Sequence, residues 1–299
     1  MTAMLAALPT PVRAALWYVG ALSCWGVSAG IIRFAAAEMP TIELGFFRAL
    51  FGALLTLPWL LRAGLFPLPR RRFGLYLLRG LVEAVAIATW FIALGYMQAA
   101  DVVALGFTAP LFTTLLGALL LGERIRLRRS VAIAVGLIGA LLVIKPANLL
   151  GGGGIGWIAL LPVFGSLAVA ASRIAGRRLA QSEPVIVIVA SLGFITTPVL
   201  FPAAALVWVP VTLYSIAFAA LIASLSLVGH VFMVRALGMA PVSALAPYEF
   251  AQMLTAVAFG IAVLGEWPDV WTWVGSAVIL GASVYIVRRE AQLARAAGL

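Results

Sequence analysis

A few ionisable and hydrogen-bonding side chains interrupt the long apolar stretches of this sequence, and they are the groups able to do chemistry there. Glu249 lies about eight residues inside one stretch, and Gln252 follows three residues later. On a helix, Tyr248, Gln252 and Thr255 share a face. A carboxylate beside an amide and a hydroxyl can bind a polar ligand or exchange a proton. The alternative is that Glu249 pairs with an arginine and only joins helices.

His230 is the single histidine, and it lies in another apolar stretch one turn after Ser226. An ordinary histidine, with a pKa of about 6.5, changes charge near neutral pH and therefore suits a proton-coupled step. The alternative, which the residue type favours, is a structural hydrogen bond between helices.

Aromatic residues complete the candidate binding set. Trp25, Trp90, Phe164 and Tyr248 are predicted to lie deeper than the other aromatic side chains, although packing is the default role for each. A cavity walled by aromatic and aliphatic groups suits ligands with apolar side chains. The predicted substrate-binding residues are Trp25, Trp90, Phe164, His230, Tyr248, Glu249 and Gln252.

Other ionisable side chains in apolar stretches are predicted to be structural. Glu83 follows Arg79 by four residues, the spacing of an ion pair within one helix. Asp101 begins a stretch, where it suits an N-terminal cap. Arg48, five residues after Glu43, is expected to pair with an acid from another helix.

Several kinds of reactive site are excluded. Cys24 is the single cysteine, so neither an internal disulfide nor a multi-cysteine metal site can form. The glycine run 151–154 lacks the Gly-Lys-Ser/Thr ending of a nucleotide-binding loop and is interpreted as a linker. No catalytic set of carboxylates, cysteine and histidine, or serine and histidine can be assembled. We therefore predict no cofactor and no metal.

The composition shows which elements must hold these residues. Of the 299 residues, 64% are hydrophobic and 10% are charged, against roughly 45–50% and about 25% in globular proteins. So few polar residues cannot cover the surface of a soluble protein of this length. We therefore predict a membrane protein.

Ten apolar segments are long enough to cross a bilayer, for which a helix needs about 20 residues. Proline and glycine turns separate them. The predicted spans, numbered one to ten, cover residues 14–35, 41–61, 73–97, 100–121, 130–146, 155–176, 184–207, 212–235, 242–264 and 270–287. The predicted fold class is an all-α integral membrane protein with ten transmembrane helices.

Basic residues fall mainly on one side of this topology. With the amino terminus in the cytoplasm, sixteen of the 20 lie in cytoplasmic segments, and only Lys145 lies in an outside loop. The positive-inside rule therefore predicts that both termini are cytoplasmic. It also accounts for the net charge of +10 without a nucleic-acid partner.

The sequence repeats itself at an offset of 143 residues. The tripeptide Ala93–Gly95 recurs as Ala236–Gly238, and the pair Gly122–Glu123 recurs as Gly265–Glu266. Arginines follow the first Gly-Glu pair but not the second, as expected if the two loops face opposite sides. We predict two inverted five-helix repeats, residues 1–150 and 151–299. Such repeats are the architecture of secondary transporters, which bind substrate near the midplane.

A set of short stretches matches a known pattern. They are Phe46-Phe47-Arg48, Leu78-Arg79-Gly80, Trp90-Phe91-Ile92-Ala93-Leu94, Ala109-Pro110-Leu111 through Leu121-Gly122-Glu123-Arg124, and Ala246-Pro247-Tyr248-Glu249-Phe250 through Gly265-Glu266. This set resembles the ten-helix drug/metabolite transporter superfamily in its EamA-type branch. The sequence is most similar there to bacterial exporters of aromatic and other amino acids. Because Arg48 falls on a family motif, the resemblance implies that it stabilises the fold.

The resemblance implies a multi-pass protein of the bacterial cytoplasmic membrane. Its expected activity is export of amino acids or similar small metabolites by alternating access, with no enzymatic step. The expected partners are the substrate and the lipid bilayer, and the expected state is a monomer. Export of drugs or organic cations is the main alternative, and a membrane-embedded enzyme is the other.

Two prolines predict bends in corresponding spans. Pro110 is expected to bend span four near its middle, and Pro247 is expected to bend span nine near the cytoplasmic side, beside Glu249. The alternative for Pro247 is that it begins a helix, where proline is tolerated.

Overall fold

The structure is a computed structural model that describes residues 9–62, 64, 72–121, 127–144, 156–180, 183–237, 239 and 245–296. Over these residues every regular element is helical, and none is a strand. Helices suit an apolar environment because they satisfy every interior backbone hydrogen bond within one segment. The predicted all-α fold class is therefore confirmed over the described residues.

Eleven α-helices make up the described chain, with short 3₁₀ and π segments between some of them. The α-helices are α1 (Thr10–Ala35), α2 (Thr41–Arg62), α3 (Phe73–Tyr96), α4 (Ala99–Gly106), α5 (Ala109–Leu121), α6 (Leu127–Ile144), α7 (Leu161–Ala180), α8 (Val185–Ala205), α9 (Leu213–Leu237), α10 (Phe250–Phe259) and α11 (Val270–Ala296). The 3₁₀ segments are Gly156–Leu160 and Ala246–Glu249, and the π segment is Gly260–Leu264.

Six helical segments are long and apolar enough to cross a membrane, and they overlap predicted spans one, two, three, six, seven and eight. They are Thr10–Ala35, Thr41–Arg62, Phe73–Tyr96, Gly156–Gly176, Ile186–Ala205 and Leu213–Met233. Shorter apolar helices overlap the other four spans, at Ala99–Thr113, Val131–Ile144, Phe250–Leu264 and Val270–Tyr285. The chain is thus a multi-pass membrane protein, while the count of ten crossings stays a prediction.

The helix predicted as span four is broken between α4 and α5, at Phe107 and Thr108. Pro110 has no N–H to donate to the carbonyl of Gly106, four residues earlier. Serines from other helices approach the carbonyls at the break. Ser166 Oγ lies 3.4 Å from the Gly106 oxygen, and Ser283 Oγ lies 3.0 Å from the Phe107 oxygen. The predicted bend in this span is therefore present, and α7 and α11 hold it.

A 3₁₀ turn lies in span nine at Pro247. Ala246–Glu249 forms this turn, with Pro247 at its second position, and α10 continues from Phe250. Leu245, directly before the turn, is already α-helical, and residues 240–244 lie outside the described residues. Pro247 therefore follows helical chain, and the bend beside Glu249 stays a prediction.

The long helices pack mainly against helices from the other half of the chain. The most extensive contacts are those of α1 with α9, α2 with α8, α3 with α7, and α6 with α11. The largest cluster of buried residues includes α4, in which Val102, Val103 and Leu105 are almost fully buried. Two smaller clusters lie around Leu60 and Tyr76 and around Tyr18 and Leu22. All three clusters contain residues from both predicted halves.

Helix α1 also lies directly against the described part of the ninth span, residues 245–264. A Cβ at Gly26 would collide with the backbone carbonyl of Gln252, and one at Gly30 would collide with the ring of Phe259. These two glycines let the helices approach more closely than larger residues would allow.

Candidate functional site

A cavity of about 60 Å³ lies between α2, α3, α8 and α9. Its polar lining consists of Arg48 and Thr56 on α2, Glu83 on α3, Thr196 on α8, and Ser226 and His230 on α9. Apolar residues complete it, among them Ile87, Val189, Leu192 and Leu227. At 1.5 Å of rise per residue, Arg48 lies about 10 Å from the start of α2 and Glu83 about 15 Å from the start of α3. The charged groups are therefore deep inside the helices.

Arg48 is bound at only one edge of its guanidinium group. Nε donates to Ser226 Oγ at 3.1 Å. Among the described residues, neither terminal nitrogen has a protein acceptor, and no carboxylate lies within 4.0 Å. The expectation that Arg48 pairs with an acid is therefore wrong, because the side chain that meets it across the helix contact is a serine. Two terminal N–H edges remain available at the cavity.

The hydrogen-bond partner of Glu83 lies on α7, whereas the predicted partner, Arg79, lies on α3. Its Oε2 accepts a hydrogen bond from Ser172 Oγ at 2.6 Å. Arg79 instead turns to α8, where Nη1 donates to the Ile188 carbonyl at 2.8 Å. The predicted ion pair between Arg79 and Glu83 is therefore not formed. Oε1 of Glu83 has no partner in the part of the chain that the structure describes.

His230 forms its hydrogen bond within α9. Nδ1 lies 2.7 Å from the Ser226 carbonyl oxygen. Because a carbonyl only accepts, Nδ1 must carry the proton, and Nε2 of the neutral ring is an acceptor. The Trp25 ring meets the imidazole edge-on, with centroids 5.3 Å apart. The hydrogen bond is therefore not the one between helices that the sequence favoured, and the contact between helices is aromatic.

The other predicted binding residues lie elsewhere. Glu249 accepts a hydrogen bond from the Tyr18 hydroxyl at 3.2 Å, and Arg173 interacts electrostatically with the same carboxylate without an ion pair within 4.0 Å among the described residues. The Trp90 indole packs against Gly106 and Gly165, and its buried N–H has no partner among the described residues. Phe164 and Tyr248 are 58% and 43% exposed, and Gln252 meets α1 through its backbone. Of the seven predicted residues, only His230 lines this cavity, and Trp25 packs against its ring.

Helical spacing in the sequence indicates the cavity residues that were not predicted to bind substrate. Arg48 and Thr56 are eight residues apart, and Ser226 and His230 are four apart, so each pair shares a helix face. Arg48 and Glu83 were predicted to be structural, and neither Thr56 nor Thr196 was predicted. Polar residues at four-residue intervals inside apolar spans indicate these faces.

An ion pair joins the carboxyl-terminal end of α1 to the loop after the ninth span. Arg33 Nε donates to Glu266 Oε1 at 2.9 Å, and Arg33 Nη1 donates to the Gly95 carbonyl at 3.0 Å. Gly265, with φ of 67°, turns the chain so that Glu266 faces α1. At the same end, Thr272 Oγ1 donates to Asp101 Oδ1 at 2.5 Å. Asp101 is not the predicted cap, because Gln98 holds the cap position of α4.

Comparison with known proteins identifies similar membrane proteins. Residues 12–145 match the EamA-like transporter family. A riboflavin transporter from Rhizobium johnstonii is 30% identical over 280 residues, which cover 92% of this chain and 91% of the relative. An S-adenosylmethionine uptake transporter from Rickettsia bellii is 24% identical, with 92% and 93% covered. A pseudopaline exporter from Pseudomonas aeruginosa is 28% identical, with 89% and 93% covered.

A solved crystal structure has a similar fold. It matches with a TM-score of 0.59 at 20% sequence identity, and the match covers 93% of this chain and 99% of the other. The helical arrangement described above is therefore one that an experimental structure also shows.

Proposed function

Because the chain belongs to the EamA-like transporter family, we propose that it exports amino acids, or similar small metabolites, by alternating access. The route is the cavity between α2, α3, α8 and α9, and the setting is a bacterial cytoplasmic membrane. The relatives compared above are named as transporters of small molecules, in both the uptake and the export direction. An enzymatic activity has no such support.

One observation carries the proposal. Two charged side chains, Arg48 and Glu83, face one cavity deep inside membrane-length helices. Ionisable groups are costly at that depth, and they mark substrate pathways in membrane proteins. The cavity walls come from α2 and α3 of the first predicted repeat and from α8 and α9 of the second. Transporters built from two repeats bind substrate between the repeats, so a cavity walled by both predicted repeats supports this route.

Helix packing supports ten spans in two inverted repeats. If span one corresponds to span six and span three to span eight, exchange of the halves converts the contact of α1 with α9 into the contact of α7 with α3. The contacts of α2 with α8 and of α6 with α11 convert into themselves. This symmetry supports residues 1–150 and 151–299 as the two units. It also fits a monomer, because each half finds its partner within the chain.

The size of the cavity supports a mechanism in which access alternates. Its volume of about 60 Å³ is well below the roughly 300–1,000 Å³ of sites that enclose small molecules. In the proposed topology, the ion pair of Arg33 with Glu266 closes the outer end. The cavity must therefore widen when substrate enters, and we assign the structure to a contracted state closed on the outside.

The main alternative, an exporter of drugs or organic cations, fits the cavity less well. A cation without a carboxylate would meet the Arg48 guanidinium in an apolar environment, where repulsion between like charges is weakly screened. Glu83 alone would attract such a ligand. The amino-acid proposal therefore accounts for both charges, whereas the cation proposal accounts for one.

Purified protein in liposomes tests the proposal directly. Labelled aromatic and aliphatic amino acids should exchange across the membrane without nucleotide, and protein-free liposomes provide the background. Organic cations, riboflavin and S-adenosylmethionine belong in the same screen. Exchange of those compounds alone would reject the amino-acid proposal, and chemical conversion of any of them would indicate an enzyme.

A further inference from the structure

The unpaired edge of Arg48 points to how a substrate is recognised. We propose that Arg48 binds the carboxylate of the substrate, while Glu83 and His230 accept hydrogen bonds from its ammonium group. The site would thus select molecules that carry both charges, as α-amino acids do. This assignment rests on the function proposed above and reverses the structural role that the sequence suggested for Arg48.

The guanidinium of Arg48 has the geometry to bind a carboxylate. Nε is occupied by Ser226 Oγ, so the two terminal nitrogens form the remaining fork. Among the described residues, neither terminal nitrogen is a buried atom without a partner, and Arg48 lines the cavity. Both nitrogens are therefore accessible from the cavity. A planar fork of N–H donors matches the two oxygens of a carboxylate, and such charge-assisted pairs are stronger than neutral ones.

Two other lining residues, Glu83 and His230, supply acceptors. Ser172 holds Oε2 of Glu83, which leaves Oε1 as an acceptor. Because Nδ1 of His230 donates to the Ser226 carbonyl, Nε2 of the neutral ring is a second acceptor. An ammonium group has three donors and no acceptor, so it suits acceptors of this kind.

The two opposite charges of the cavity favour a substrate that carries both signs. Arg48 and Glu83 contribute one positive and one negative charge to the same cavity. A zwitterion compensates both, whereas an amine leaves Arg48 unpaired and a simple carboxylate leaves Glu83 unpaired. An uncompensated charge is expensive in an apolar interior. Ile87, Leu192 and Leu227 supply apolar walls for the rest of the substrate.

Ser226 is the positioning residue of this arrangement. Its hydroxyl accepts from Arg48 Nε, and its carbonyl accepts from His230 Nδ1. Removing the hydroxyl frees the guanidinium to rotate away from the fork geometry but leaves the histidine contact intact. Ser224, two residues earlier, is a matched control because its hydroxyl bonds only to the Ala220 carbonyl of its own helix.

Competition in liposomes tests the assignment. Exchange of labelled phenylalanine is measured against unlabelled phenylalanine, phenethylamine, which lacks the carboxylate, and 3-phenylpropanoate, which lacks the ammonium group. For the wild-type protein, both analogues should compete roughly 100-fold more weakly than phenylalanine. In Arg48→Gln the advantage of phenylalanine over phenethylamine should disappear, whereas Arg48→Lys should keep part of it.

The serine variants add a separate readout. Ser226→Ala should raise the KM for phenylalanine by about fivefold to tenfold with little change in maximal rate, and Ser226→Thr should restore it. Ser224→Ala should leave both parameters unchanged. A KM for Ser226→Ala equal to that of wild type would remove Ser226 from the recognition site.

The outcomes separate this assignment from the proposed function. No exchange of any amino acid by wild-type protein would reject the function itself. Exchange of phenylalanine with equal competition by phenethylamine would keep the function and overturn the role of Arg48. If Arg48→Gln does not fold, as judged by gel filtration in detergent, the wild-type competition alone decides.

Discussion

At the scale of single residues, Arg33 joins three parts of the chain. Its guanidinium binds Glu266 in the loop after the ninth span and the carbonyl of Gly95 at the end of α3. The side chains of Arg33 and Glu266 are 27% and 19% exposed, so solvent screens the pair only partly. It is the single ion pair among the described residues. Disruption of this pair should therefore weaken the contact of α1 with α3 and with the loop after the ninth span.

Removing either charge of this pair should destabilise the protein. Arg33→Ala and Glu266→Ala are each expected to lower the free energy of unfolding by about 1–3 kcal/mol, because the remaining partner loses a charged hydrogen bond. The measurement is thermal or denaturant unfolding in detergent. The double variant should cost less than the sum of the single ones, by about 1 kcal/mol. Strictly additive losses would show that the two side chains do not interact.

Residues far apart in the chain explain why the candidate site was predicted only in part. Arg48 meets Ser226 across 178 positions, and Glu83 meets Ser172 across 89. The sequence assigned Glu83 to Arg79, its neighbour on the same helix, because nothing local indicates that α7 packs against α3. His230 was predicted because a lone histidine in an apolar span is conspicuous from its type alone.

At the scale of elements, helix positions were predictable because length and apolarity suffice to define a membrane helix. The rotation of each helix about its axis, which decides the face that is buried, was not predictable. A transmembrane helix is apolar on nearly all sides, so periodicity gives little indication of which face is buried. Phe164 illustrates this, since it was expected near the substrate and is instead 58% exposed.

The two prolines of the corresponding spans should behave differently when replaced. Pro110 follows the break between α4 and α5, whereas Pro247 lies in the first turn of a 3₁₀ segment. Pro110→Ala restores an N–H able to bond the Gly106 carbonyl and favours a continuous helix. We expect it to slow exchange of amino acids in liposomes by about tenfold, equivalent to 1.4 kcal/mol in the barrier.

Pro247→Ala is the matched control for this comparison. The α-helix after Pro247, α10, begins three residues later, at Phe250, so an N–H added at position 247 does not extend the hydrogen-bond ladder of α10. We therefore expect the exchange rate to stay within about twofold of wild type. Thermal stability of both variants is measured in parallel to separate rate effects from misfolding. A slow, stable Pro247→Ala variant beside a normal Pro110→Ala variant would assign the moving element to span nine.

At the scale of the whole molecule, the proposed topology assigns each loop to one side of the membrane. Trp267, 71% exposed, follows the ninth span and should face outward. Pro184, also exposed, precedes α8 and should face the cytoplasm. Position 267 faces outward and position 184 faces the cytoplasm only if the protein inserts as the positive-inside rule predicts.

Cysteine labelling measures this orientation. Trp267→Cys and Pro184→Cys are introduced separately into a Cys24→Ser background, which has no other thiol. In intact cells, a membrane-impermeant maleimide should label position 267, and it should label position 184 only after permeabilisation. The background protein without either cysteine is the control. The opposite pattern would invert the topology, and labelling of both in intact cells would contradict the number of spans.

Helix α1 is fastened to the ninth span over most of its length. The contacts, from one end to the other, are Tyr18 with Glu249, Gly26 with Gln252, Gly30 with Phe259, and Arg33 with Glu266. Segments joined at several levels move together. In the proposed topology, a movement that separates the Arg33 end of α1 from α3, at Gly95, would also displace the Tyr18 end of α1. If access alternates as proposed, these contacts couple opening on one side of the membrane to closing on the other.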